Sequence, residues 1–107
     1  MLSVEGVREL LGLANLDEVD ALVRQGCLLA LPTMSGKPAF PALQFTRDRR
    51  VLAGIAEVLA VLAPAVFTPF TIASWLMAPQ PLLAETTPVD WLTAGKSLDL
   101  VLEAARR

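Results

Sequence analysis

The stretch from Val51 to Ala84 carries one charged residue, Glu57, and this feature constrains the fold most strongly. Such a run must be buried inside the protein, covered by a partner or inserted into a bilayer. A membrane-spanning helix needs roughly 20 mostly apolar residues without a central charge. The apolar segment Val51–Phe67 is shorter, contains Glu57 and is interrupted by Pro64. We therefore expect core helices and no membrane partner, with Glu57 facing solvent or an interface.

The composition excludes the common catalytic systems. The chain has no His and no Tyr, and Cys27 is its only cysteine. Without an imidazole, neither a Ser-His-Asp nor a Cys-His nucleophile system can form. A single cysteine also excludes a disulfide framework and a Cys/His zinc site within one chain. We therefore expect a protein that is not an enzyme and uses no metal or cofactor. The free thiol is typical of a reducing cytoplasm, where we expect the protein to act.

The charge and the apolar content together point to a protein partner. Eleven acidic and nine basic residues give a net charge of −2, which opposes general attraction to nucleic acid but allows a local basic patch. Apolar residues make up 54% of the sequence, which is more than a small globule can bury. We therefore expect that part of this surface meets a partner or a second copy, and that the chain forms a homo-oligomer.

Residues 1–48 show the pattern of a helix-turn-helix followed by a hairpin. Ser3 can cap a first helix, and Asn15 can cap a second helix that stops at Gly26 in the left-handed conformation. Residues 28–31 and 39–45 then read as two strands of a short hairpin, or wing. Prolines within and beside these segments confine them to sheet edges. This half resembles the winged helix-turn-helix of excisionase and MerR-like proteins.

Residues 49–107 predict a small bundle of four helices. The first runs from Arg49 to Ala63 on its apolar periodicity. Thr68-Pro69 and Thr87-Pro88 each place a cap before a proline at the first helical position, which starts the second and third helices. Ser97 is expected to cap the fourth helix.

The predicted fold class is therefore mainly α, with two subdomains. Residues 1–48 form a helix-turn-helix subdomain with a hairpin wing, and residues 49–107 form a helical bundle. The most polar run of the chain, Thr46–Arg50, is interpreted as the hinge between them.

A series of motifs in the last third of the chain has a specific order. It consists of Trp75-Leu76-Met77-Ala78-Pro79, Leu82-Leu83, Thr87-Pro88-Val89-Asp90-Trp91-Leu92, Gly95 and a last amphipathic helix. Over residues 69–107 this series resembles the toxin-binding domain of the Xre/MbcA/ParS-like antitoxins. That family usually has a glycine in the stretch before its proline, where this chain has Ala84-Glu85-Thr86-Thr87.

The resemblance implies the antitoxin of a type II toxin–antitoxin pair, which binds a cognate toxin and occludes its active site. The toxin that such antitoxins typically meet is a RES-domain, NAD-degrading enzyme. The implied toxin-binding residues are a supporting platform, Trp75, Pro79, Leu83, Pro88 and Trp91, and a plug, Arg106 and Arg107. The residue pattern by itself favours core positions for most of this C-terminal series, including Trp75 and Trp91. The family analogy also adds regulation of the operon through binding of operator DNA by the N-terminal half.

The alternative interpretation is a stand-alone DNA-binding transcriptional regulator of excisionase or MerR type that dimerises through its C-terminal helices. Its candidate DNA contacts are Arg24, Lys37, Arg47, Arg49 and Arg50. The second helix begins with Asp17, Glu18 and Asp20, which would repel phosphate groups. The charge pattern therefore does not favour this interpretation.

Overall fold

The computed structural model describes residues 1–63 and 68–107, and within them the chain is mainly helical. The helices are α1 (Val4–Leu11), α2 (Leu16–Arg24), α3 (Ile55–Leu62), α4 (Pro69–Leu76), α5 (Pro88–Thr93) and α6 (Leu98–Arg106). Two short 3-10 turns lie at Ala42–Gln44 and Pro81–Leu83. The β structure of the described residues consists of isolated antiparallel bridges. None of the described helices is long and apolar enough to cross a bilayer.

The predicted ends of α1 and α2 are confirmed by their hydrogen bonds. The Ser3 hydroxyl accepts the N–H of Gly6 at 3.0 Å, and the Asn15 side chain accepts the N–H of Glu18 at 3.1 Å. Gly26 follows α2 with a φ of 77°. Each cap satisfies a backbone group that the helix itself leaves unpaired. These ends follow from neighbouring residues alone.

The segment after α2 forms less β structure than the predicted hairpin. Leu31 and Ala39 exchange two backbone hydrogen bonds of 2.7 and 2.9 Å. The predicted second strand, residues 39–45, stops early because Ala42–Gln44 is a 3-10 turn. Pro41 precedes that turn and has no N–H to donate to a ladder, which accounts for the short pairing.

The predicted helix from Arg49 to Ala63 is wrong over its first residues, since α3 begins at Ile55. Arg49 has a φ of 65° and Gly54 a φ of 96°, and neither value fits a right-handed helix. A Cβ on Gly54 would lie 2.9 Å from Cδ1 of Leu98, so the backbone here approaches α6 closely. The segment before α3 therefore turns, and glycine is required where it meets α6.

The buried apolar side chains form two clusters. The smaller contains Val7, Val19, Leu28 and Phe40. The larger contains Leu29, Leu31, Leu52, Ile55, Val58, Leu59, Leu62, Ile72, Leu76, Leu83, Leu92 and Val101. Leu29 and Leu31 thus pack with the C-terminal helices, and Val51 packs against both clusters. In the larger cluster, α6 packs against α3 and against the Pro81–Leu83 turn.

Gln44 is a fully buried polar residue at the boundary of the two clusters. Its side-chain oxygen accepts the N–H of Leu29 at 2.8 Å, and its side-chain nitrogen donates to the carbonyls of Leu29 at 2.9 Å and Pro41 at 3.2 Å. Its own carbonyl accepts the N–H of Leu52 at 2.8 Å. One amide side chain therefore satisfies both backbone groups of Leu29, as a neighbouring strand would.

Replacing Gln44 by Ala should strongly destabilise the protein. The change leaves the N–H and the carbonyl of Leu29 buried without these partners, and each such group costs about 1–3 kcal/mol. We expect the free energy of unfolding to fall by at least about 2 kcal/mol in urea titrations followed by circular dichroism. Gln25→Ala, at an exposed position, is the control and should change it by no more than about 0.5 kcal/mol. Equal effects of the two substitutions would contradict this role for Gln44.

Candidate functional site

Leu83 and Pro88, two of the predicted platform residues, are core residues. Leu83 is 0% exposed and lies in the turn that packs against α6. Pro88 is buried at the first position of α5, where the Thr87 hydroxyl accepts the N–H of Asp90 at 3.1 Å. Neither side chain is open to a partner. Leu83 instead holds the loop before α5 against α6, and Pro88 begins α5, which packs against α4.

Trp91 stabilises the connection between α5 and α6. Its indole N–H donates to the carbonyl of Ser97 at 2.9 Å, and the ammonium of Lys96 lies 4.8 Å from the ring centroid. That distance allows a cation–π interaction. Ser97 is the N-cap residue of α6, as predicted, but its side chain makes no capping hydrogen bond. Its backbone carbonyl serves Trp91 instead.

The loop between α4 and α5 has a left-handed backbone without glycine. Ala84 has a φ of 54° and Glu85 a φ of 62°. The N–H of Glu85 donates to the carbonyl of Gln80 at 3.0 Å, and the N–H of Gln80 donates to the carbonyl of Thr86 at 3.2 Å. These bonds and the buried Leu83 hold a conformation that L-residues with a Cβ resist. The loop thus adopts a backbone of the kind glycine favours, although the sequence lacks glycine there.

Trp75 and Arg107, distant in sequence, line the same groove between α3, α4 and α6. The groove has a volume of about 200 Å³, and its other lining residues are Leu62, Thr71, Ile72, Ala104 and Ala105. The guanidinium of Arg107 lies 2.8 Å from the Glu103 carboxylate. Pro79 and Arg106 are exposed and do not line this groove. The structure therefore brings together one platform residue and one plug residue.

Two large apolar side chains that were not among the predicted site residues are exposed on the outer side of α4, one within the helix (Phe70) and one at its C-cap (Met77). Phe70 is 52% exposed and Met77 is 54% exposed. The opposite face of the helix is buried through Ile72 and Leu76. The polar residues of this helix, Thr71 and Ser74, are also exposed, and they are the sequence signal that could have identified the outer side. The α4 outer face, defined by Phe70 and Met77, is an exposed apolar surface that the predicted site residues did not include.

Arg49, a predicted DNA contact, is engaged within the protein. Its Nε donates to the carbonyl of Leu10 at 3.1 Å and its Nη2 to the carbonyl of Glu9 at 2.8 Å. These carbonyls belong to the last turn of α1, where a helix has unpaired acceptors and a partial negative charge. Arg49 therefore ties the Thr46–Arg50 segment to α1 and has fewer N–H groups to offer to phosphate.

The other four predicted DNA contacts divide into two kinds. Two form ion pairs with acids of their own segments: Arg24 with Asp20 at 3.4 Å, and Arg50 with Asp48 at 3.5 Å. Lys37 and Arg47 are exposed and form no ion pair within residues 1–63 and 68–107. Lys37 and Arg47 are thus the two predicted contacts with the least internal engagement.

Hydrogen bonds on the surface of the N-terminal half lower the pKa values of two acids. The hydrogen bond from Arg8 lowers the pKa of Glu5, and the same contact raises the pKa of Arg8. The hydroxyl of Thr46 lowers the pKa of Asp48 by hydrogen bonding to its carboxylate. Both carboxylates are ionised near neutral pH, and they belong to residues 1–48, where six Asp and Glu residues outnumber four Lys and Arg residues.

Comparison with known proteins gives one whole-chain structural likeness. No protein-family model matches this chain, and no curated protein matches it. The NMR structure of Rv2175c is similar, with 26% sequence identity and a TM-score of 0.78. The likeness covers 97% of this chain and 77% of Rv2175c. The arrangement of the N-terminal helices relative to the C-terminal helices therefore recurs in a second protein.

Replacing Ala84 by Gly should maintain or increase stability. A left-handed backbone costs an L-residue roughly 1–2 kcal/mol, whereas the extra entropy of an unfolded glycine costs about 0.5–1 kcal/mol. We expect a gain between zero and about 1 kcal/mol in the free energy of unfolding. Ala94→Gly, at an exposed position with a φ of −76°, is the control and should lose about 0.5–1 kcal/mol. Similar losses in both variants would show that the loop is unstrained.

Proposed function

We propose that this protein is the antitoxin of a type II toxin–antitoxin pair and binds its toxin through the C-terminal helices. The observation that carries the proposal is the exposed α4 outer face. Phe70 and Met77 lie in a stretch with no charged residue between Glu57 and Glu85. Exposed apolar surface of this kind is typical of protein–protein contact sites.

The internal contacts of the platform residues support the same proposal. Leu83 and Pro88 are buried, and the Trp91 indole is satisfied by Ser97, so these residues fix the shape of the C-terminal unit. Pro79 and Arg106 stay exposed on that unit. We propose that these exposed residues contact a RES-type, NAD-degrading toxin, and that Arg106 reaches its active site. The cytoplasm is the compartment we propose for this interaction.

The proposal is tested by measuring whether this chain binds the protein encoded by the adjacent reading frame. Phe70→Asp and Met77→Asp place a charge in the proposed contact, and we expect each to weaken binding at least tenfold in calorimetry and to abolish rescue in co-expression. Leu16→Asp is the matched control, because Leu16 is 45% exposed but lies on α2. Circular dichroism should show that all three variants remain folded.

Two outcomes would contradict the proposal. One is absence of binding by the unmodified chain. The other is a homodimer that buries the α4 outer face. Light scattering would then give twice the monomer mass for the unmodified chain and the monomer mass for both Asp variants. A second copy of the chain would then occupy the surface proposed for the toxin.

DNA binding is the second candidate function, and the arrangement of α1 and α2 favours it. The two helices pack against each other, and the paired segment at Leu31 and Ala39 follows them. This arrangement supports a helix-turn-helix with a short wing. Lys37, beside the tip of that wing, and Arg47 are its proposed phosphate contacts. This function is compatible with an antitoxin that regulates its own operon.

Removing both proposed contacts should change the salt dependence of DNA binding. Each phosphate contact contributes about 0.9 to the slope of log affinity against log salt, so Lys37→Ala with Arg47→Ala should flatten that slope by about 1.8. Arg24→Ala with Arg50→Ala is the control, and a smaller change is expected because both arginines are already paired with acids. Fluorescence anisotropy with a labelled duplex measures both. An unchanged slope in the first variant, or no DNA binding at all, would remove the regulator hypothesis.

A further inference from the structure

The groove that contains Trp75 and Arg107 has apolar walls and a polar rim. Leu62, Ile72 and the Trp75 ring contribute the apolar surface, with two alanines of α6. The hydroxyl of Thr71 is already hydrogen-bonded to Thr68 at 3.0 Å. Arg107 is the charged residue among those that line the groove. The groove thus offers a small apolar space with a guanidinium at its edge.

Arg107 retains hydrogen-bonding capacity despite its contact with Glu103. A guanidinium has five N–H donors, and the contact with Glu103 uses Nη2. Both side chains are more than half exposed, at 67% and 52%, so this ion pair is weak and open to exchange. A second carboxylate can therefore approach Arg107, and the neighbouring exposed Arg106 adds positive charge to the same end of α6.

The size of the groove indicates what it can hold. Pockets for small-molecule ligands usually measure about 300–1,000 Å³, and this groove is smaller, at about 200 Å³. A space of this size suits one side chain of another protein. Trp and Arg are also the residue types that most often dominate binding energy in protein interfaces, where they line pockets that exclude water.

We propose that this groove receives one apolar side chain of the toxin, and that an adjacent toxin carboxylate binds Arg107. The inference rests on the proposed function and names the part of the partner that the C-terminal unit recognises. A carboxylate is the group that matches the planar fork of a guanidinium. In this arrangement the antitoxin provides the groove with Arg107 at its rim, and the toxin provides the apolar side chain that enters the groove.

The experiment separates the apolar component of this site from its charge. Ala104→Phe places a ring in the groove from a partly exposed position, so the fold should tolerate it. Arg107→Glu reverses the charge at the rim, and Arg107→Lys keeps the charge without the planar fork. The probe is the purified protein encoded by the adjacent reading frame, and calorimetry measures its Kd. We expect Ala104→Phe and Arg107→Glu to weaken binding at least tenfold and Arg107→Lys to have a smaller effect.

The controls distinguish failure of this inference from failure of the proposed function. Ala94→Phe adds the same ring at an exposed position outside the groove and should keep the Kd within twofold. Thermal unfolding of every variant tests that the fold is retained. If the unmodified chain binds the partner and neither Ala104→Phe nor Arg107→Glu weakens that binding, the role of the groove is overturned and the proposed function stands. Absence of binding by the unmodified chain overturns both.

Discussion

The hydrogen bonds between the Gln44 side chain and the backbone of Leu29 are the constraint on which the rest of this structure depends. Leu29 lies in a segment that contributes to both buried clusters, and within residues 1–63 and 68–107 no regular strand runs beside it. The amide of Gln44 supplies the donor and acceptor that a strand would have supplied, so the segment can be buried. The carbonyl of Gln44 then fixes Leu52, and the chain turns at Gly54 into α3.

From α3 the packing extends to the surface that we propose to bind a partner. α3 packs against α6, and Leu83 is buried beneath α6 in the turn before α5. The Trp91 indole closes the connection between α5 and α6. Because these contacts are satisfied internally, the outer face of α4 and the groove at Trp75 remain available. The residues that define the shape of the unit are thus largely distinct from those open to a partner.

The charged residues follow a related division. Arg49 serves the last turn of α1, and Arg24 and Arg50 face acids within their own segments. Such contacts reduce the positive charge that these arginines can offer to DNA phosphates. The exposed apolar side chains of the α4 outer face are not engaged in ion pairs, so no such contact has to be broken when a protein partner binds there. The exposed surface of this protein is therefore better suited to a protein partner than to DNA.

The sequence by itself determined the features that depend on neighbouring residues. The caps at Ser3, Asn15, Thr68 and Thr87 were predictable, because each side chain bonds a backbone group three residues away. Tertiary structure decided the features that depend on distant residues. The start of α3 is set where the backbone of Gly54 meets the side chain of Leu98. The outer face of α4 is the face that the core leaves uncovered. The groove exists because α6 brings Arg107 to the same space as Trp75. Apolar periodicity identifies a helix, but it cannot specify which neighbour will cover each face.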